Sequence, residues 1–305
     1  MSFDDAITRI ADKSRPAVST FTARPFLKWV GGKRSILPEL QRRMPEGYET
    51  YNEPFLGGGA LYFAEQPKDA CLSDINFHLI LTFQRVRDDV DGVIRALKVH
   101  ASRHSPEYYG RARARLFKEK DNTKLAALFI YLNKTCFNGL YRVNKQGEFN
   151  VPIGDYKNPP ILDEENLRAC SEVLQGAEIE QKPFSQITPH KGDFFYLDPP
   201  YHNTYEGYAA QGFGDSEHDK LAEFCRGIDR KGGYFMLSNS DTPFVRKLYK
   251  GYNIEHVSAA RSVSCKAHQR GREQELLIRN YAGWQSMNSL AISTGSAEAA
   301  PNAPN

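Results

Sequence analysis

The most informative stretch of the sequence is Asp193-Phe194-Phe195-Tyr196-Leu197-Asp198-Pro199-Pro200-Tyr201. Large apolar residues that end at an acid and two prolines predict a buried parallel strand that stops at Asp198, because proline cannot donate to a sheet ladder. Ligands of open α/β sheets bind beyond the carboxyl ends of the strands. We therefore expect Asp198, the Pro199 carbonyl and the Tyr201 ring to face one crevice. For Asp-Pro-Pro alone, an aspartate that starts a turn is the simpler alternative.

The composition is that of an ordinary globular protein, with 305 residues of which 40% are hydrophobic and 25% charged. No apolar run reaches the roughly 18 residues of a membrane span, and residues 1–20 lack the apolar core of a signal peptide. The sequence therefore predicts a cytoplasmic protein. Its five cysteines are scattered and form no Cys-x-x-Cys pair, which argues against a disulfide framework and a zinc site, so no metal is expected.

A glycine-rich turn between a strand and a helix, Glu53-Pro54-Phe55-Leu56-Gly57-Gly58-Gly59, predicts a ligand site. Glycines let a ligand approach the backbone, and the following helix N-terminus favours a carboxylate. A plain strand-to-helix turn is the alternative for the glycines alone. A second short strand ends at Asp74, near the spacing of roughly 20 residues at which an acid binds ribose hydroxyls. Asp74 is therefore the predicted ribose ligand.

Residues 101–150 contain ten Lys and Arg against four acids, an excess of six in a chain whose net charge is +3. A solvated helix face and a phosphate-facing surface explain this excess equally well. Apolar residues at helical spacing from Leu79 to Leu132 predict a set of helices. His100 and His104 lack the Glu of a His-Glu-x-x-His metal helix, and we assign them to a solvated face.

Amide, basic and aromatic residues are interleaved over 132–154, and Gly147 is positioned to turn a hairpin between 141–143 and 149–151. Arg can read guanine, Asn can read adenine, and an aromatic side chain can wedge between base steps. On composition alone, a hairpin of unrelated purpose is not excluded.

These motifs, in this order and over about residues 24–281, resemble those of the Dam-type (alpha group) DNA adenine N6 methyltransferases. Asp-Pro-Pro-Tyr resembles the family's catalytic signature, and the run 132–154 resembles its target-recognition element. The resemblance implies an α/β fold, a Rossmann-like S-adenosylmethionine-dependent methyltransferase sheet with an inserted helical and hairpin DNA-recognition domain. It also implies methyl transfer to adenine N6 in double-stranded DNA, within GATC, by base flipping.

The resemblance assigns residues to three roles. The catalytic residues are Asp198, Pro199, Pro200 and Tyr201. The S-adenosylmethionine contacts are Trp29, Lys33, Glu53, Pro54, Phe55, Gly57, Gly59, Asp74 and Asp198. The DNA contacts are Lys28, Phe137, Asn138, Leu140, Arg142 and Pro152. Phe137 would be the wedge at the flipping site, a position where the family often has tyrosine.

We predict a loosely ordered leader (1–23), a catalytic domain (24–85 and 186–283), an inserted recognition domain (86–185) and a disordered tail (284–305). Residues 202–208 are expected to form a loop over the substrate, and the basic segment 261–272 to contact DNA. The alternatives are an enzyme that acts on another adenine site, on RNA or on cytosine N4, and a non-catalytic DNA-binding regulator. The sequence does not decide whether a cognate restriction endonuclease accompanies the chain, nor its oligomeric state.

Overall fold

The computed structural model describes residues 22–203, 213–260 and 272–282. These residues contain a sheet with the strand order β3-β2-β1-β4-β5-β7-β6. The strands are β1 (Tyr51–Glu53), β2 (Ala70–Asp74), β3 (Ala177–Gln181), β4 (Phe194–Leu197), β5 (Tyr234–Ser240), β6 (Asn253–Ala260) and β7 (Arg272–Arg279). The first five are parallel, and β7 runs antiparallel to β5 and β6. The α/β class is confirmed, and so is a buried parallel strand that ends directly before Asp198.

The helices of the described residues begin at recognisable caps. Asp89, Ser105 and Asp121 each accept a hydrogen bond from a backbone N–H in the first turn of the helix that follows. The helices are α1 (Leu37–Gln41), α2 (Ala60–Glu65), α3 (Phe77–Asp88), α4 (Val90–Ser102), α5 (Pro106–Arg115), α6 (Asn122–Thr135), α7 (Glu164–Leu174), α8 (Asp215–Arg230) and α9 (Pro243–Leu248). The helical pattern predicted from Leu79 to Leu132 is thereby confirmed.

Successive residues of the central strands point to opposite faces of the sheet. Phe194 and Tyr196 of β4 lie in the core that the sheet shares with α2, α3, α4, α6 and α7. Phe195 and Leu197 lie in the second core, which α8 and α9 cover. Both faces of β4 are thus buried, which is why its sequence is a continuous apolar run. The helices of the predicted insert belong to the same core as the sheet.

The predicted domain boundaries need correction at two points. Residues Ala177–Gln181, which the prediction placed in the insert, pair with β2 in the main sheet as β3. The sequence signal of β3 is weak because only Ala177 and Ile179 are buried on this short edge strand. Ala23, assigned to the loosely ordered leader, is buried in the core.

The assignment of His100 and His104 to a solvated face is wrong for His100, which is buried, while His104 is partly buried. His100 is 8% exposed, and its Nδ1 lies 2.9 Å from the Tyr108 hydroxyl. His104 Nδ1 lies 2.9 Å from the Tyr131 hydroxyl. Burial, with help from the nearby Arg115, lowers the pKa of His100 to about 4. The histidines are therefore part of the packing of α4 against α5 and α6.

Several predictions concern residues outside the described ranges: most of the leader, most of the loop 202–208, nearly all of the segment 261–272, and the tail. Cys265 also lies outside them, whereas the other four cysteines are free thiols. In the described part of the chain, no helix is both long and apolar enough to span a bilayer. The same residues hold no cluster of His, Cys, Asp or Glu suited to a metal ion.

Candidate active site

The strand order reverses between β1 and β4, since the chain leaves β1 towards β2 and β3 and returns on the other side at β4. Loops that leave the carboxyl ends of two such strands diverge and open a crevice. Glu53 ends β1, and Asp198 follows the last residue of β4. Two acids predicted from separate motifs therefore lie at one edge of the sheet, and the charge of Asp198 contributes to raising the pKa of Glu53.

Asp198 forms an ion pair with Lys33, whose Nζ lies 2.7 Å from Asp198 Oδ1. Lys33 also donates to the Gly31 carbonyl at 2.7 Å. Burial raises the pKa of the Asp198 carboxyl, and the Lys33 ammonium opposes this shift. The Asp198 side chain keeps 21% of its surface exposed while Lys33 keeps 6%. Lys33 therefore favours an ionised carboxylate, a hydrogen-bond acceptor, at the mouth of the crevice.

Two side chains, Glu275 and Lys33, hold the Tyr201 ring in place. Its hydroxyl donates to Glu275 Oε2 at 2.6 Å, and the Lys33 ammonium lies 4.9 Å from the ring centroid. Glu275 is on β7, which lies two strands from β4 in the sheet. The fixed ring offers a flat surface close to Asp198, from which it is separated in sequence by Pro199 and Pro200 only.

The glycine turn and Asp74 meet as predicted from their separate motifs. The Gly57 N–H donates to Asp74 Oδ2 at 3.2 Å, and the Asn76 N–H donates to Oδ1 at 2.9 Å. Burial raises the pKa of Asp74 to about 6 in spite of these bonds. Gly57 has a φ of +47°, and a Cβ there would lie 2.6 Å from Trp29 Cδ1. Trp29 therefore packs directly on the turn.

The remaining residues of the predicted cofactor motif are buried or partly buried around the turn. Tyr51 donates to Glu53 Oε2 at 2.7 Å, and burial raises the pKa of Glu53 to about 8. Pro54 is buried, and the Phe55 ring packs 5.5 Å from that of Phe184. Because burial disfavours its charge, Glu53 would become a carboxylate on pairing with an incoming ammonium group.

The predicted hairpin is present. Val143 forms a β-bridge with Phe149, and the Gly147 N–H donates to the Asn144 carbonyl at 2.9 Å across the turn. The Tyr109 hydroxyl of α5 donates to the Val151 carbonyl at 2.8 Å. We call residues 137–152 the recognition hairpin; its return strand is thus fixed to the helices below it.

The hairpin presents the predicted DNA contacts with different exposure. Phe137 is 42% exposed, and its N–H donates to the Pro152 carbonyl at 2.9 Å, so these two residues lie side by side. Arg142 is exposed and donates from Nε to Asn150 Oδ1 at 2.8 Å. Leu140 and Asn138 are partly buried. Lys28 lies beside the hairpin, with its ammonium 4.0 Å from the Tyr156 ring centroid.

Three of the ten basic residues of 101–150 line one cavity. A cavity of about 440 Å³ is lined by the side chains His100, Arg103, Tyr108, Arg111, Ala112, Arg115 and Leu128. Within the described residues, Arg103 and Arg111 have no ion-pair partner, whereas Arg115 pairs with Glu119. Unpaired guanidinium groups around one cavity favour the phosphate-facing interpretation of this surface.

Sequence reasoning missed three residues that organise the site. Glu275 holds Tyr201, Asn133 joins Lys28 to the recognition hairpin, and Asn150 orients Arg142. No local signal identifies Glu275 or Asn133, because each acts on a residue more than 70 positions away. Asn150 could have been found, since it faces Arg142 across the predicted turn.

A parallel sheet extended by an antiparallel β7, with an acid beyond the strand at its switch point, has the Rossmann-like α/β architecture that the motifs predicted. The family model of the D12 class N6 adenine-specific DNA methyltransferases matches residues 29–263, and the chain belongs to this family. The family predicted from the motifs is confirmed.

Relatives that match over most of both chains support the same family. The type II methyltransferase M.MjaIII of Methanocaldococcus jannaschii is 40% identical over 286 residues, covering 85% of this chain and 99% of that one. The type II methyltransferase M1.LlaDCHI of Lactococcus lactis subsp. cremoris is 38% identical over 272 residues, covering 85% and 95%. A DNA adenine methylase of Haemophilus influenzae is 34% identical over 267 residues, covering 83% and 92%.

Proposed function

We propose that this enzyme transfers the methyl group of S-adenosylmethionine to N6 of an adenine that is flipped out of duplex DNA, within the sequence GATC. The observation that carries the proposal is the ion pair of Asp198 with Lys33 at the switch point. It favours an ionised acceptor beside the fixed ring of Tyr201, which is what an exocyclic amino group and its flat base require.

The chemistry explains why an acceptor is needed. The lone pair of an exocyclic amino group is delocalised into the ring, so the enzyme must direct its hydrogens and free the lone pair. Lys33 binds Asp198 Oδ1, and no described residue hydrogen bonds Oδ2. We assign Oδ2 to one amino hydrogen and the Pro199 carbonyl to the other. Tyr201 stacks on the base, and Glu275 keeps its ring in place.

S-adenosylmethionine fits the residues at the carboxyl ends of β1 and β2. When bound, it would supply an electrophilic methyl group on a sulfonium. Glu53 would bind its ammonium group and Asp74 its ribose hydroxyls, with Gly57 and Gly59 leaving the backbone open to it. Ile75, which follows Asp74, is 66% exposed and offers apolar surface to its adenine ring. Trp29, Lys33, Pro54 and Phe55 complete the predicted set.

The recognition hairpin supports specific DNA reading. Phe137 and Pro152 project side by side, and we assign Phe137 to the space that the flipped base leaves, with Asn138 beside it. Arg142 is held by Asn150 in a fixed orientation, which favours a bidentate contact to guanine. Lys28, Leu140 and Pro152 are assigned to the remaining bases of GATC.

The test is methyl transfer by the purified chain, with radiolabelled S-adenosylmethionine, to four substrates: a GATC duplex, the same duplex with a permuted site, an RNA of the same sequence, and a duplex without adenine at the site. We expect transfer to the first alone. Asp198→Ala should abolish it, and Arg142→Ala should relax discrimination by about 1 to 3 kcal/mol at one base pair. Equal transfer to the permuted duplex would refute GATC, and transfer to RNA or cytosine would refute the substrate class.

A further inference from the structure

The short segment from Lys28 to Lys33 contacts three parts of the proposed site. A Cβ at Gly139 of the recognition hairpin would lie 2.4 Å from Lys28 Cβ, so Lys28 packs on the hairpin backbone. The next residue, Trp29, packs on the glycine turn at Gly57. Lys33 ends the segment in its ion pair with Asp198. A displacement of this segment would therefore disturb its contacts with the hairpin, the glycine turn and Asp198.

Asn133 of α6 fixes the start of this segment. The Lys28 N–H donates to Asn133 Oδ1 at 2.8 Å, and Asn133 Nδ2 donates to the Lys28 carbonyl at 2.7 Å. The same Nδ2 donates to the Gly139 carbonyl at 3.2 Å. Asn133 is 4% exposed, so water has little access to its amide group. One amide group thus satisfies backbone groups of both the segment and the hairpin.

We propose that Asn133 is a positioning residue that couples cofactor binding to DNA recognition, an inference that rests on the proposed function. The cofactor would bind against Trp29, next to the Lys28 backbone, while DNA would bind the hairpin that contains Gly139. Because a single buried amide joins Lys28 to Gly139, a ligand that orders one of them also favours the bound position of the other. Such coupling is reciprocal, so each ligand should tighten the other.

The chain just before this segment offers a matched control. The Arg24 N–H donates to Asn166 Oδ1 at 3.0 Å, and Asn166 Nδ2 donates to the Arg24 carbonyl at 3.0 Å. Asn166 is 2% exposed, and it lies on α7. It therefore makes the same pair of bonds with the backbone four residues upstream, but it has no hydrogen bond to the recognition hairpin. Replacing Asn166 therefore measures the effect of losing an equivalent pair of buried hydrogen bonds that do not involve the recognition hairpin.

The experiment measures the affinity of the full chain for a fluorescent GATC duplex, with and without saturating S-adenosylhomocysteine. The ratio of the two dissociation constants is the coupling factor. Coupled sites typically show factors of about 5 to 150, and we expect Asn133→Ala to bring the factor to within about 2 of unity. Asn166→Ala should keep the wild-type factor even though it loses comparable stability against urea.

A second variant tests the link from the other side and does not require removal of a core amide. In Gly139→Ala the new methyl group meets Lys28 Cβ and separates the hairpin from the segment, while Asn133 is unchanged. It should also lower the coupling factor.

The inference is overturned by a wild-type factor of one, by a wild-type factor in both Asn133→Ala and Gly139→Ala, or by equal losses in Asn133→Ala and Asn166→Ala. A wild-type chain that binds neither ligand would instead refute the proposed function.

Discussion

Replacing Gly57 by alanine should damage the cofactor site in a way that the structure allows to be separated from backbone strain. Gly57 has a φ of +47°, where an L side chain costs about 1 to 2 kcal/mol. The new Cβ would also lie 2.6 Å from Trp29 Cδ1. Carbon atoms pack at about 3.5 Å or more, so the Trp29 ring would have to move by about 1 Å.

Gly59→Ala is the matched control. Gly59 has a φ of +65°, so alanine there carries a similar strain, but its Cβ would meet only Leu56 and Phe63 carbons at 3.4 Å. Both variants should lose about 1 to 2 kcal/mol of unfolding free energy to backbone strain, and Gly57→Ala should lose more because Trp29 must also move; urea titration measures both losses. Gly57→Ala should then weaken S-adenosylhomocysteine binding more than Gly59→Ala does, because only Gly57→Ala displaces Trp29; calorimetry measures the difference. The methyl-transfer rate of Gly57→Ala should fall by up to about 10²-fold, the effect of a 1 Å misplacement in an active site.

Equal cofactor-product binding by the two variants would contradict this prediction. If the two alanine variants bound S-adenosylhomocysteine equally, Trp29 would not border the cofactor. The assignment of the motif around Gly57 to cofactor binding would then be wrong. Equal binding with unequal stability would lead to the same conclusion. Neither outcome would affect the role of Asp198.

Three further predictions follow from the charges and surfaces of the site. Lys33→Met should raise the pKa of the Asp198 carboxyl and move the acidic limb of the rate–pH profile to higher pH, whereas Lys33→Arg should not; an unmoved limb in Lys33→Met would contradict this. With a Glu53 pKa of about 8, binding of the cofactor's ammonium at pH 7 should release protons and strengthen as the pH rises towards 8. Calorimetry in two buffers checks this, and Glu53→Gln should abolish it. Phe137→Ala should reduce the fluorescence of 2-aminopurine at the target adenine more than it reduces duplex binding, and an unchanged signal would exclude the wedge.

The central strands and the acids that follow them could be predicted because each signal is local. The run that ends at Asp198 is apolar at every position, since both faces of β4 are buried, and the strand before Asp74 ends in the same way. Topology then brings the carboxyl ends of parallel strands to one edge without further information from the sequence. Gly147 predicted the hairpin because its turn requires a glycine conformation, with φ at +77°.

The partners of these residues could not be predicted, because they come from distant parts of the chain. Lys33 precedes Asp198 by more than 160 residues, and only the folded chain brings the two together. Glu275 reaches Tyr201 because β7 enters the sheet beside β5, an arrangement that no pattern near Tyr201 encodes. β3 was missed for another reason: an edge strand with alternating acids has too few buried positions to produce a strand signal.

The balance of charge at the switch point favours one form of the proposed cofactor over the other. Burial raises the pKa of both Glu53 and Asp198. The charge of Asp198 adds to the shift of Glu53 and that of Glu275 to the shift of Asp198, while the Lys33 ammonium opposes both shifts. Once Glu53 loses its proton to bind the ammonium group, the acids at the switch point outnumber the Lys33 ammonium. The methyl donor is a sulfonium cation, and its demethylated product is a neutral thioether. The field of the site therefore attracts the donor more strongly than the product. We therefore expect these acids to favour binding of the charged donor and release of the neutral product.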